Sequence, residues 1–312
     1  MVDSDTACIE MLTHADDQAW LIGAFVYLAG NGALSGTGIN IRTSQDRAAA
    51  EVLSAAGVLV PAGDGFTLPP ALAGESGAGL ASRASGALSS LRQLAAALGI
   101  IDDDGQGWAA YDDDTLIAQG QASALGGTML AMAAVPSLDG LDERFTSGGA
   151  FLDVGVGIGA MTAAFCTARP TATAVGIDVL PRALGLARQT IATAGIEDRV
   201  ELREQSVEEL ADTERFDLAW LPAPFIPAAV IRTALLRIHD ALRPGGWLVV
   251  GAGRFADGTL PTAVTKWKTL RANGTPLPAG DARELFASTG YVDFQELFTP
   301  PGTPALFAGR KP

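Results

Sequence analysis

Apolar positions near the start of the chain recur at the spacing of a single helix face. Two stretches show it, "AWLIGAFVYLAG" and "DRAAAEVLSAAGVLV", and Thr43 and Ser44 precede the second as candidate N-caps. Next, "VLVPAGDGFTLPP" holds two short β-prone runs around Asp64-Gly65, a pair suited to a tight hairpin because glycine accepts positive φ. The Gly/Ala/Ser-rich stretch Ala71–Leu91, with "LRQLAAALGI" behind it, reads as helix, since alanine and leucine at that density favour helix over loose linker. "YDDDTLIAQGQASALGGTML" predicts a further helix, with Asp112–Asp114 in the first turn where the helix dipole favours negative charge.

From Gly149 the period changes. Apolar runs of four to six residues alternate with helical segments, the pattern of βαβ units and a parallel sheet. Strands are expected at "AFLDVGV", "ATAVGID", "VELREQ", "FDLAWLP" and "WLVVGAG", with helices over 159–168, 181–194, 207–211 and 227–242. Two more β runs, "VDFQELFTP" and "PALFAGRK", have no helix between them and predict an antiparallel hairpin at the sheet edge. The fold class expected is therefore α/β: a doubly wound, Rossmann-like, seven-stranded sheet with a C-terminal antiparallel hairpin. Ahead of it stands an α-helical domain whose order of helix, helix and hairpin is that of a winged helix. The expected boundaries are a winged-helix dimerisation domain at 1–92, a helical connection at 93–148 and the α/β domain at 149–312.

Charge narrows the partners. The 312 residues carry a formal net charge of −14, which repels phosphate backbones and anionic headgroups, so no nucleic acid and no membrane partner is expected. The N-terminal module has three arginines among residues 1–90, too few for a DNA-reading surface. No apolar stretch approaches the roughly 20 residues of a membrane span, and a cytoplasmic location is expected. Cys8 and Cys166 provide neither a disulfide framework nor a zinc spacing, and the triplets Asp102–Asp104 and Asp112–Asp114 lack the spacing of a calcium loop. No metal is expected.

The chemistry concentrates at "FLDVGVGIGA". Gly155, Gly157 and Gly159 follow a strand and open a helix, which brings backbone N–H groups against a ligand. Gly155, Gly157 and Ala160 also satisfy the dinucleotide pattern G-x-G-x-x-G/A, and Asp178 at the end of the second strand suits the ribose hydroxyls of any adenine nucleoside. Asp153, two residues before the first glycine, favours a cationic amino-acid moiety over a pyrophosphate. Gln205 and Ser206 close the third strand with polar groups fit for an adenine edge.

The ordered motifs "FLDVGVGIG", "AVGID", "RVELREQS", "FDLAWLPAPF" and "LRPGGWLVV" resemble those of class I S-adenosylmethionine-dependent methyltransferases, over residues 149–251. With the N-terminal module, the chain is similar to the dimeric small-molecule O-methyltransferases of specialised metabolism. The resemblance implies S-adenosylmethionine as cofactor, a small-molecule substrate and a homodimer. It implies glycines 155, 157 and 159 under the methionine part, Asp178 on the ribose and Gln205 with Ser206 flanking the adenine, and Val207 is a further expected cofactor-binding residue. Gln119, Ser123, Asp153, Val179 and Trp220 complete the expected cofactor site, Phe225 and Trp267 are expected at the substrate, and Tyr111 and Arg254 are the candidate catalytic residues. His239 is expected to be structural, and Lys266 shares the variable segment of Trp267.

Two departures matter. The general-base histidine of the plant-type enzymes would fall near Pro224, and the Asn-Pro-Pro-Phe motif of amide and amine methylation has Pro222-Ala223-Pro224-Phe225 as its counterpart, without the asparagine. In-line positioning contributes about 7–11 kcal/mol, more than the about 10²–10⁴-fold of a general base, so catalysis without the histidine is expected for a nucleophile already reactive at neutral pH. C-, O- and N-acceptors stay open. The competing readings are an NAD(P)-dependent oxidoreductase using Asp178 on its ribose, and a ligand-sensing winged-helix regulator.

Overall fold

The computed structural model describes residues 14–35, 38–73, 77–100, 107–255, 259–299 and 304–312; Cys8 and the Asp102–Asp104 triplet lie outside them. The chain divides into two compact units, Met1–Leu94 and Ala95–Pro312.

In the first unit, α1 (Ala15–Gly30) is followed by the two-residue strands β1 (Leu34–Ser35) and β2 (Gly38–Ile39), then α2 (Ser44–Ala55). Thr43 is the N-cap of α2: its hydroxyl accepts from Asp46 N at 3.0 Å while the Asp46 carboxylate accepts from Thr43 N at 3.2 Å, a reciprocal capping box. Asp46 also accepts from Tyr27 and Asn31, tying α1 to α2. Leu28, Ala50, Leu53 and Leu59 bury the apolar faces against one another. The strands β3 (Val60–Ala62) and β4 (Gly65–Thr67) form the hairpin, and Ala62 pairs with Gly65. The turn is thus Gly63-Asp64, one residue earlier than the Asp64-Gly65 expected, because Gly63 takes the positive φ (58°) at the first turn position. α3 (Gly77–Ala97) ends the unit. Leu21, Phe25, Leu53 and Leu80 line an apolar groove of about 240 Å³ there, and Trp20 and Ile22 of α1 face solvent.

The second unit begins with α4 (Asp113–Met129), which runs through a π turn at Leu130–Ala134, and α5 (Leu141–Thr146). Asp112 caps α4 by accepting from Thr115 N at 2.9 Å, the helix-end role its triplet predicts. Then come β5 (Ala150–Val154), α6 (Ala160–Ala168), β6 (Thr173–Asp178), α7 (Pro181–Ala194), β7 (Val200–Glu204), β8 (Phe216–Pro222), α8 (Ile231–Ala241) and β9 (Leu242–Ala252). Two helices that the sequence pattern did not predict follow, α9 (Leu260–Arg271) and α10 (Ala279–Ser288), before the antiparallel pair β10 (Val292–Leu297) and β11 (Ala305–Arg310).

The seven strands lie in the order β10-β11-β9-β8-β5-β6-β7. Winding runs from β5 outward in one direction through β6 and β7, and in the other through β8 and β9, so strand order reverses between β5 and β8. In open sheets wound this way, ligands bind in the crevice outside the carboxyl ends of the strands at such a switch point. Alternation along the strands sends Leu152, Val175, Leu221 and Val250 to one core and Phe151, Leu218, Trp247 and Val249 to the other, each under helices.

At the opposite end, buried Asp217 accepts from Arg144 at 3.1 Å, Arg243 at 2.6 Å and Ala150 N at 2.9 Å, joining α5, β9 and β5 to β8. On the edge strand β7, Arg203 pairs with Glu201 and Asp212, both at 2.7 Å, and Arg215 pairs with the same two acids. On the opposite edge, Arg310 of β11 pairs with Asp293 of β10. No described helix is long and apolar enough to cross a membrane.

Candidate functional site

Leaving β5, the backbone makes a tight turn in which Gly155, Gly157 and Gly159 have φ of 69°, 56° and 75°, a region costly for residues with a Cβ. Gly155 N and Val156 N both donate to Ile177 O, at 2.9 and 3.0 Å, holding the turn against β6. Gly159 faces inward, where a Cβ would stand 3.3 Å from that of Ala187 in α7. Gly155 and Gly157 differ: an added Cβ would meet nothing nearer than Pro222 Cγ at 3.8 Å and Gly155 O at 4.0 Å. Bare main chain therefore borders open space on the crevice side, as a closely seated ligand requires.

Asp178 is anchored where β6 ends. Its Oδ2 accepts from Gly157 N and its Oδ1 from Leu180 N, both at 2.9 Å. Burial raises its carboxyl above the ordinary range, and the N–H groups of Leu180 and Gly157 offset part of that. Gln205 N donates to Asp178 O at 3.0 Å, bringing the segment after β7 alongside. There the Ser206 hydroxyl accepts from Glu208 N at 3.2 Å and caps a short 3₁₀ turn, Val207–Glu209, where a helix over 207–211 was expected. Val207 is buried and Val179 is exposed.

Asp153 lies behind the glycine turn, 2 % exposed, with its Oδ2 accepting from Thr162 Oγ1 of α6 at 2.5 Å. Desolvation pushes its carboxyl up to about 7, Thr162 opposes this and the charge of Asp178 adds to it. Asp153 sits beside Trp220 across the β5–β8 ladder, and the Trp220 indole lies over Gly251 of β9, where a Cβ would be 2.4 Å from the ring.

A third component escaped the sequence reading. Trp108 meets Tyr111 and Phe225 edge-on, at centroid distances of 5.2 and 5.0 Å, and its indole N–H is buried with no hydrogen-bond partner among the described residues. Both flanks of this aromatic wall lead to the crevice. Phe225 follows Pro222, the residue nearest Gly155, while the carbonyl of Tyr111 accepts from Arg182, four residues beyond Asp178. A tryptophan in a glycine-flanked turn, "GQGWAAY", was the one available signal.

Over the turn lies α4. A Cβ on Gly120 would be 2.2 Å from Ile158 Cγ1, inside the glycine turn, and one on Gly127 would be 2.2 Å from Met161 O of α6. These two glycines seat α4 directly on the turn and its helix. Gln119 and Ser123 flank Gly120, and the Ser123 hydroxyl donates to Gln119 O at 3.1 Å.

Residues 151–246, which contain the turn, Asp178, the Gln205 segment and Pro222–Phe225, match the family described as "Methyltransferase domain". The second unit holds a class I S-adenosylmethionine-dependent methyltransferase domain. Curated relatives include the release factor glutamine methyltransferases of Geobacter sulfurreducens, 32% identical over 137 residues, and of Caulobacter vibrioides, 35% identical over 91 residues. Those matches cover 36% and 28% of this chain and 48% and 32% of the relatives, so the chain spans half or less of their length. Similarity of fold runs much further. An O-methyltransferase family protein from Burkholderia thailandensis superposes with a TM-score of 0.63 at 19% identity, covering 97% of this chain and 98% of that one. The pyocyanin biosynthetic protein PhzM gives 0.64 at 17% identity, with coverage of 98% and 100%. Human N-acetylserotonin methyltransferase in complex with SAM gives 0.56 at 16% identity, with coverage of 99% and 98%.

Within the methyltransferase domain the structure groups Asp153, the three glycines, Asp178, Gln205 and Ser206 around the crevice, with Tyr111 and Phe225 in the aromatic wall. Arg254 is engaged elsewhere, donating to the carbonyl and hydroxyl of Thr299. Trp267 is 54 % exposed on α9, beside exposed Lys266. His239 packs edge-on against Tyr291 at a centroid distance of 5.1 Å, in the structural role expected of it.

Proposed function

We propose that the chain transfers the methyl group of S-adenosylmethionine to a small molecule of specialised metabolism, the acceptor lying against Trp108, Tyr111 and Phe225. The observation that carries this reading is the bare main chain at Gly155 and Gly157, with Asp178 bonded to it at Gly157 N and Asp153 buried behind it. Asp178 would serve the ribose of either nucleoside; Asp153 suits a cationic amino-acid moiety better than a pyrophosphate, which counts against the nicotinamide reading. When bound, S-adenosylmethionine supplies an electrophilic methyl on a sulfonium. Asp178 accepts the ribose hydroxyls, the Ser206 hydroxyl and Gln205 border the adenine, and the glycine turn carries the methionine portion.

On the acceptor side the chain supplies shape more than proton transfer. Pro222 stands where amide-methylating enzymes place their asparagine and offers no side-chain hydrogen bond, so a glutamine amide acceptor is disfavoured despite the names of the curated relatives. The aromatic wall fits a flat substrate, and in-line placement carries most of the rate. Acceptors ionised at neutral pH, such as acidic phenols and enols, suit a site without a general-base histidine. A homodimer formed through the first unit is supported by exposed Trp20 and Ile22 beside the apolar groove.

Calorimetry tests the donor site. Asp178→Ala is expected to weaken S-adenosylmethionine binding at least tenfold with its circular dichroism unchanged; equal affinity refutes the assignment. Incubation with labelled donor and a host extract, followed by mass identification of the labelled product, tests the acceptor class.

A further inference from the structure

The feature not used by that reading is the state of Asp153. Its carboxyl is buried, its one hydrogen-bond donor is an uncharged hydroxyl, and no Lys, Arg or His pairs with it among the described residues. The groups facing it offer no cationic partner. From α6 come Thr162 and, one turn on, the buried thiol of Cys166; from β6 comes Asp178, a second acid; from β8 comes Trp220. Arg199, whose charge reaches Cys166, donates to the carbonyls of Cys166 and Ala172, at 3.2 and 2.9 Å. A carboxylate buried beside another acid with no counter-ion keeps a proton until a cation arrives.

We propose that Asp153 is a specificity residue that separates methyl donor from demethylated product by exchanging a proton: it is protonated in the ligand-free protein, and docking of the cationic donor expels that proton to solvent. The inference rests on the assignment of S-adenosylmethionine to the crevice. The donor carries a sulfonium, an ammonium and a carboxylate, one net positive charge; S-adenosylhomocysteine has lost the sulfonium charge and is neutral overall. Both ligands bring the ammonium that suits Asp153, and the donor adds the sulfonium charge, so the donor favours ionised Asp153 more than the product does. After transfer, Asp153 regains its proton and the product loses an electrostatic reason to stay. The carboxyl's titration near 7 places the exchange at neutral pH.

Isothermal titration in phosphate and in Tris, buffers of different ionisation enthalpy, counts the protons released. With S-adenosylmethionine at pH 7 the wild type is expected to release about half a proton, and its Kd is expected to tighten about fivefold between pH 6 and 7. S-adenosylhomocysteine should release less than the donor, by the share that the sulfonium charge contributes. Asp153→Asn should release none beyond the donor's own titration, and its donor-to-product affinity ratio should fall. Thr162→Val removes the hydroxyl that favours the ionised form, so its maximal release should move to higher pH, a second test that leaves Asp153 in place. Donor binding with no proton release, or equal release by wild type and Asp153→Asn, overturns this inference alone. Failure of the wild type to bind S-adenosylmethionine overturns the donor assignment beneath it.

Discussion

Replacing Gly120 by alanine tests how the glycine turn is held. In an open helix interior this change stabilises by about 1 kcal/mol, because alanine surrenders less backbone freedom. At position 120 the new methyl would stand 2.2 Å from Ile158 Cγ1 and 2.7 Å from Cδ1, well inside contact distance. Overpacking of that kind costs about 1–3 kcal/mol, so the net effect should be a loss of up to about 2 kcal/mol. Ile158→Ala alone should cost about 2–5 kcal/mol, since Ile158 is buried. It also removes the atoms in conflict. In that background Gly120→Ala should become stabilising by about 1 kcal/mol, giving a coupling of about 1–3 kcal/mol between the two sites. Urea unfolding of the four proteins, read on the transition of the second unit, measures the cycle. A stabilising Gly120→Ala in both backgrounds would show that α4 does not rest on the turn.

Asp153→Asn should also change the pH dependence of stability. The folded carboxyl titrates at about 7, above the unfolded value near 3.9, so the folded state holds the extra proton and wild-type stability falls as pH rises between those values. The loss approaches about 4 kcal/mol above pH 7, and urea midpoints of the variant at pH 5 and 8 should show that slope removed; an unchanged slope contradicts the assignment. Gly251→Ala places a methyl 2.4 Å from the Trp220 ring and should weaken S-adenosylmethionine binding several-fold with altered tryptophan emission; unchanged emission would mean the indole lies elsewhere. Trp20→Glu with Ile22→Glu should convert a dimeric mass to a monomeric one in light scattering, and a monomeric wild type would remove the basis for the dimer.

Much of the α/β unit was legible because its strands are buried on both faces and read as short apolar runs; "FDLAWLP" coincides with β8 to the residue. β9 was harder. Pro244, Gly245 and Gly246 read as a turn before the strand, yet the strand starts at Leu242 and runs through them, with a register shift against β8 between Phe216 and Leu218. The glycines admit this irregularity, and Gly246 O accepts from Lys311 N at 2.8 Å. α9 was missed for a different reason: Leu260, Val264, Trp267 and Leu270 all face solvent, so the apolar period does not mark an inner face. The glycine turn and Asp178 were visible because their backbone demands leave a residue signature. The aromatic wall was not, since Trp108 and Phe225 meet only after more than a hundred residues of chain have folded between them.

The paired charges on the outermost strands have a consequence for life in a crowded solution. An open sheet exposes unpaired amide groups at each rim, and a foreign strand can add there and seed aggregates. On β7 such an intruder would have to disrupt Arg203, Glu201, Asp212 and Arg215, and bonding to both arginines holds Glu201 ionised down to about pH 2. On β10 it would meet the Asp293–Arg310 pair and a register break between Val292 and Gln295. Self-association by strand addition is thus discouraged at both rims.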